Sequence, residues 1–272
     1  MVVELDLSVP FTAARARNEG LAVLRESAKD IGYVQFIDGD CELDMDWIAT
    51  ARVFLEANPR VAVVCGRRRE RFPEASVFNT MCDVEWNTPV GEAAACGGDA
   101  LMRFAPLDEA GGYDSGLVAG EEPELCARLR AWGWQIWRID APMTLHDAAM
   151  TRFRQWWLRS VRSGFGYAQV WTTMRGRAEQ LYATELRRAL LWGAAVPLVI
   201  LAAALLYWPA AFALALVYPL QIARIALRRG GAASDWTYAT YMTVAKFAET
   251  AGVVRFALER AAGRRNAPLS YK

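Results

Sequence analysis

The 272-residue chain sets 31 Lys and Arg against 30 Asp and Glu, a formal net charge of +1, and 54% of its residues are hydrophobic. So even a balance supplies no global field to recruit nucleic acid, and the length suits one large domain or a domain with an appendage. The five cysteines (Cys41, Cys65, Cys82, Cys96 and Cys126) are odd in number and form no Cys-x-x-Cys pair. That excludes a zinc ribbon or disulfide scaffold as an expectation and points to reduced thiols in a cytosolic compartment.

Met1–Asp6 lacks a basic region followed by an apolar core and does not read as a signal peptide. From there, amphipathic stretches alternate with short apolar runs. Ala13–Lys29, Asp46–Ala57 and Glu121–Trp132 read as helices; Tyr33–Ile37, Val61–Cys65, Ala100–Phe104 and Gln135–Ile139 read as strands. Asn58-Pro59 and Gly133 stand where helices should stop. The alternation predicts an α/β layer with a mainly parallel sheet over residues 1–150.

Beyond it the composition changes. Residues 151–188 are basic and tryptophan-rich, and Trp156-Trp157 is expected to form a membrane-interface belt. No charged residue occurs from Ala189 to Ala223, a run too long for one span of roughly 20 residues. Tyr207-Trp208-Pro209 divides it, so residues 189–229 read as a transmembrane hairpin. Arg187 and Arg188 precede the run and Arg224, Arg228 and Arg229 follow it, which puts both ends in the cytoplasm. A buried helical pair of a soluble protein is the alternative. Residues 230–272 read as an amphipathic interfacial helix, Trp236–Arg260, with a third span as the alternative, and a loose tail from Arg264.

The chemistry centres on Asp38-Gly39-Asp40 at the end of the first apolar run. Side chains repeat every second residue in a strand, so the two carboxylates converge and form a hard-oxygen site for Mg²⁺ or Mn²⁺. Alone, the tripeptide is equally an ordinary solvated turn. Gly120-Glu121-Glu122-Pro123-Glu124 opens a helix and suits either a general base or dipole-favoured capping. His146 is the only histidine and stands either as a structural residue or as a further metal ligand. Gly97-Gly98 before a strand permits close backbone approach to a ligand, or makes a simple turn. Arg67–Arg69 and Arg103 suit a phosphate or a solvated basic face.

In this order the segments resemble the family 2 glycosyltransferases of the GT-A fold. Four matches carry the resemblance, which covers Pro10 to Asp147: Ala16-Arg17-Asn18-Glu19-Gly20-Leu21, Phe36-Ile37-Asp38-Gly39-Asp40, Cys96-Gly97-Gly98-Asp99-Ala100-Leu101-Met102-Arg103, and Gly120-Glu121-Glu122-Pro123-Glu124-Leu125. The resemblance implies a Rossmann-like catalytic domain with a nucleotide-sugar donor and a divalent cation. It implies Asp40, Asp38 and His146 at the metal, and Asp38, Arg17, Asn18, Gly97, Gly98 and Asp99 at the donor. Glu122 is implied as the catalytic base and Glu121 as its neighbour. The implied reaction is inverting transfer to a hydroxyl of a lipid or saccharide acceptor at the cytoplasmic face of a bacterial-type inner membrane.

Three departures accompany it. Glu122 stands where the family usually has aspartate. Arg154-Gln155-Trp156-Trp157-Leu158-Arg159 does not match the Gln-x-x-Arg-Trp element of processive synthases. Asp38 comes early, leaving room for one strand at most before it. An N-terminally shortened, inactive membrane module is therefore the alternative expectation.

Overall fold

The computed structural model describes residues 2–6, 8–27, 30–206 and 209–263. Ala28 and Lys29 of the first predicted helix, Tyr207-Trp208 of the predicted divide and the tail from Arg264 lie outside the described residues. The chain divides into two compact units, residues 1–155 and a second beginning at Trp156.

The first unit carries the strands β1 (Tyr33–Phe36), β2 (Cys41–Leu43), β3 (Val61–Glu70), β4 (Gly91–Glu92), β5 (Ala100–Arg103) and β6 (Gln135–His146). Its helices are α1 (Ala13–Ser27), α2 (Trp47–Ala57), α3 (Val77–Trp86), α4 (Phe104–Glu109) and α5 (Glu121–Ala131). The expected helices and strands are present, and the stops act as anticipated: Asn58 caps α2, and Gly133 follows α5 with φ +86°.

The sheet order is β1-β5-β3-β6-β2, with β4 on β6. A mainly parallel sheet was the expectation; the sheet is mixed. Only β3–β6 pairs in parallel among the described strands, while β1–β5, β3–β5, β2–β6 and β4–β6 are antiparallel. Alternation of strand and helix in the sequence does not encode direction, and β5 enters the sheet reversed between β1 and β3. Because β1 and β3 both oppose β5, and β6 follows β3, three strands still run the same way. The C-terminal ends of β1, β3 and β6 and the start of β5 therefore share one sheet edge. Bulges between Cys65 and Arg67 and between Arg67 and Arg68 disturb the β3–β6 ladder near that edge. Bulges re-aim side chains beside a strand's regular faces.

Behind the edge lies an apolar core. Phe36, Val63, Val64, Leu101, Met102 and Ile136 from the sheet meet Leu21, Trp47, Leu55, Leu125 and Leu129 from the helices. Each fully buried large aliphatic side chain adds about 1.5–3 kcal/mol, so this packing holds the strand ends in place. Arg103, expected at a phosphate or on a solvated basic face, is spent here. Its guanidinium donates to the carbonyls of Val61, Leu55 and Asn58 and stacks on Tyr33.

The second unit is helical: α6 (Phe153–Thr173), α7 (Ala183–Leu190), α8 (Val196–Leu206), α9 (Val217–Arg229) and α10 (Ala233–Ala261). A π-helical turn, Leu191–Ala195, joins α7 to α8, and a 3₁₀ segment, Pro209–Leu216, precedes α9. Ala183–Leu206 and Ala210–Arg229 are long and apolar enough to cross a membrane. Their most apolar stretches are only 17% and 6% buried, and Leu198, Leu205, Leu206, Phe212 and Leu220 are exposed. α10 buries Ala239, Ala245, Ala248, Gly252 and Phe256 within this unit. Trp156, expected in an interface belt, is instead buried edge-on against Tyr241, 5.1 Å between ring centres. It faces inward on α6 because its position falls on the helix stripe that packs; Trp157 beside it is half-buried.

Candidate functional site

The shared sheet edge gathers the predicted chemistry in the first unit. Asp38 and Asp40 follow β1, Arg68 and Glu70 end β3, Gly98 and Asp99 lead into β5, and His146 ends β6. Glu121 and Glu122 arrive from the N-terminus of α5, which starts at Gly120 in the left-handed region, φ +87°. A side chain there is strained, so a glycine serves the tight entry to this helix.

Arg17, on α1, ties these parts together. Its Nη2 donates to Asp38 Oδ1 at 2.9 Å, and its Nη1 donates to Glu122 Oε1 at 2.9 Å and Glu121 Oε1 at 3.1 Å. The guanidinium also lies over the Tyr113 ring, 5.2 Å from its centre. Burial disfavours its charge, yet Glu122, Tyr113, Asp38 and Glu121 more than compensate and raise its pKa.

Arg68 does the same on the other side. Its Nη2 donates to Asp38 Oδ2 at 2.7 Å and to Cys41 Sγ at 3.0 Å, and its Nε lies 3.1 Å from Asp99 Oδ2. Burial opposes this charge too, and Asp99, Asp38 and Cys41 outweigh it. Asp38 is thus gripped at both oxygens. Burial pushes its carboxyl up, but Arg68 and Arg17 pull it further the other way, below its ordinary value. Of the run Arg67–Arg69, only Arg68 reaches the site: Arg67 pairs with Asp83, and Arg69 is exposed. The bulges that turn one arginine inward had no signal in the sequence.

Asp99 is buried and committed to its neighbours. It accepts the Asp38 backbone N–H at 2.8 Å and the Thr144 hydroxyl at 2.7 Å. Asn18 likewise serves a loop, donating to the Tyr113 carbonyl and Ser115 Oγ and accepting from the Tyr113 N–H. Gly98 lies against the cluster. A Cβ there would come within 2.6 Å of Arg17 Nη2 and 2.7 Å of both Asp38 oxygens, whereas at Gly97 the nearest atom would be 4.0 Å away. The close approach expected of the glycine pair thus belongs to Gly98.

Asp40 faces His146, with Oδ1 and Nε2 3.3 Å apart. The other ring nitrogen, Nδ1, stands 3.5 Å from Glu70 Oε2, and the Trp86 ring meets the imidazole edge-on at 4.6 Å. Burial and the nearby Arg68 lower the His146 pKa, with Glu70 and Asp38 only partly opposing them. Cys41 lies beside both carboxylates of the Asp-x-Asp turn. Burial, which Arg68 partly offsets, pushes its thiol up to about 12.

Among the described residues, two sets of side chains bring donor atoms within 4.8 Å of one another: Asp40, Cys41 and His146, and Asp38, Cys41 and Asp99. Asp38 and Asp99 are both engaged by Arg68. Asp40 with His146 offers one hard oxygen and one imidazole nitrogen, a donor pair suited to a divalent cation. Glu70, Trp86 and Cys41 belong to this site and were missed as functional residues, since each carries its meaning only through spatial neighbours.

No protein-family model matches the chain, and no curated protein does. A solved structure is similar in fold: mannosyltransferase PcManGT from Pyrobaculum calidifontis in complex with GDP-Man and Mn²⁺, with a TM-score of 0.54 and 21% sequence identity. The chain shares the fold of that glycosyltransferase. The match covers 89% of this chain and 66% of PcManGT, so the chain spans about two thirds of that protein's length.

Proposed function

We propose that the chain is a metal-dependent glycosyltransferase of the family 2, GT-A type, which transfers a sugar from a nucleotide-sugar donor with inversion. The observation that carries this reading is the convergence of Asp38, Asp40, His146, Glu121 and Glu122 at one sheet edge, in a fold shared with a sugar-transferring enzyme.

Asp40 and His146 would hold a divalent cation, Mg²⁺ or Mn²⁺, which when bound would supply positive charge against the donor diphosphate and the departing nucleoside diphosphate. Asp38, held by Arg17 and Arg68, faces the donor. Gly98 lets the backbone lie close against Asp38 and Arg17, where a Cβ would collide with both. Glu122 takes the proton from the acceptor hydroxyl as that oxygen attacks the anomeric carbon. Glu121, buried beside it, shares Arg17 and sets the orientation of the pair. Arg17 must loosen its grip on Glu122 as the acceptor enters, so that the carboxylate oxygen it holds can meet the acceptor hydroxyl.

The acceptor is a lipid or saccharide hydroxyl at the cytoplasmic face of a bacterial-type inner membrane. Two exposed apolar helices support a hairpin spanning the bilayer, and arginines at both of its ends support a cytoplasmic catalytic unit. The test is sugar transfer from labelled nucleotide sugars to membrane lipid extract with Mn²⁺ present. Asp40→Ala and Glu122→Ala should each lower the rate by about 10²–10⁴-fold; unchanged transfer by both variants would remove the assignment.

A further inference from the structure

Glu70 has no role in the chemistry above, yet it is among the most completely built side chains of the first unit. Its side chain is 0% exposed. Oε1 accepts from Asn79 Nδ2 at 3.1 Å and from the Phe72 backbone N–H at 3.2 Å, and Oε2 accepts from the Ala148 backbone N–H at 3.1 Å. Asn79 is itself anchored, its Oδ1 accepting from the Met150 N–H at 3.1 Å. The three donors hold the carboxylate in place, with Oε2 3.5 Å from His146 Nδ1, a buried ring nitrogen that makes no hydrogen bond among the described residues. Glu70 and His146 are also direct register partners across the parallel β3–β6 ladder, and the Arg71 N–H closes the pair by donating to the His146 carbonyl at 2.8 Å.

A neutral imidazole carries one N–H, and here it stands between two carboxylates. Nδ1 is buried and makes no hydrogen bond among the described residues; once Nε2 ligates a cation the ring hydrogen must sit on Nδ1, and Glu70 Oε2 is the carboxylate that faces it. Nε2 is then a bare lone pair 3.3 Å from Asp40 Oδ1, a repulsive contact that a cation between the two atoms makes attractive. A carboxylate that holds the far nitrogen of a ligating histidine orients the ring and strengthens the ligand.

We propose that Glu70 is a positioning residue that holds His146 with Nδ1–H toward Glu70 and Nε2 toward Asp40, so that Nε2 and Asp40 together receive the divalent cation. This rests on the metal-dependent reading above. It assigns Glu70 no contact with substrate or metal; its effect passes through His146 alone.

The test is Mn²⁺ binding to the purified full chain in detergent, followed by loss of the free-ion electron paramagnetic resonance signal. Glu70→Gln places an amide N–H among donors and should weaken Mn²⁺ binding about 10–100-fold. His146→Ala should weaken it by a similar factor, and the double variant should bind no more weakly than His146→Ala alone, since coupled residues fail to add. Equal weakening by Glu70→Gln with and without His146, or no weakening at all, overturns the proposal. If Glu70→Gln does not fold, Glu70→Asp, which withdraws the carboxylate by one methylene, gives the same comparison. Should Asp40→Asn abolish binding while the Glu70 and His146 variants bind normally, this inference fails and the metal-dependent reading stands. Absence of Mn²⁺ binding by the unsubstituted chain removes both.

Discussion

Arg17 and Glu122, 105 positions apart in the chain, form a 2.9 Å hydrogen-bonded ion pair, and the same guanidinium holds Asp38. One cation therefore joins the carboxylate proposed as base to the turn proposed to face the donor. Replacing it by Gln removes the cation that Glu121 and Glu122 share and leaves Asp38 to Arg68 alone. Removing one partner of a buried pair typically costs about 3–5 kcal/mol, and the partial exposure of Asp38 places Arg17→Gln near about 3 kcal/mol. Thermal unfolding in detergent measures this. A melting temperature equal to that of the unsubstituted chain would show that the pair holds nothing together.

Gly98→Ala brings a methyl group within 2.6–2.7 Å of Arg17 and Asp38, closer than such atoms can stand. The side chains must shift, and the donor site shifts with them. Transfer should fall about 10–100-fold, because displacements of about 1 Å at a reacting centre cost on that scale. The loss should appear mainly in the KM for the nucleotide sugar. Gly97→Ala should cost less, as its nearest neighbour would be 4.0 Å away.

Cys41 is half-buried while the other four cysteines are buried, so it is the thiol a small alkylating reagent reaches first. Burial raises its pKa to about 12, against Arg68. A raised thiol pKa means that the neutral, unreactive form persists as pH rises. Alkylation by iodoacetamide, mapped by mass spectrometry, should still be accelerating at about pH 10.5, where a thiol of ordinary pKa, about 8.5–9, has levelled off. A plateau by about pH 10.5 would show that Cys41 is solvated.

The ion pairs of Asp38 give a second pH dependence with the opposite sign. Its carboxyl is depressed in the folded chain, so their stabilisation is fully present above the unfolded value near about 3.9 and is lost as pH falls through the lower folded value. Stability should be flat in this respect from pH 5 to neutrality and fall in acid. Asp38→Asn should lower stability at pH 7 and narrow its difference from the unsubstituted chain at low pH. A difference that stays constant down to acid pH would exclude the pairing.

The two apolar helices make a separate prediction about the second unit. Membranes bearing the chain should retain it in the pellet after alkaline carbonate extraction, because chains that span the bilayer resist it. Release into the supernatant would mean that Ala183–Leu206 and Ala210–Arg229 pack against protein instead of lipid.

By itself the sequence determined what local periodicity and residue chemistry can determine. Apolar runs located β1, β3, β5 and β6; Asn58 and Gly133 marked helix ends; the uncharged stretch from Ala189 marked the paired apolar helices. Asp38, Asp40, Glu122 and His146 were visible because few residue types do their chemistry. Only the tertiary structure decided what depends on direction and register. It reversed β5, making the sheet mixed, because alternation of elements carries no strand direction. The bulged β3 turned Arg68 inward, and Arg67 and Arg69 stayed apart from the site. Trp156 went into helix packing, and Arg103 was spent on backbone carbonyls. Glu70 was set opposite His146, because the β3–β6 register places side by side two residues whose relation no local pattern in the chain expresses.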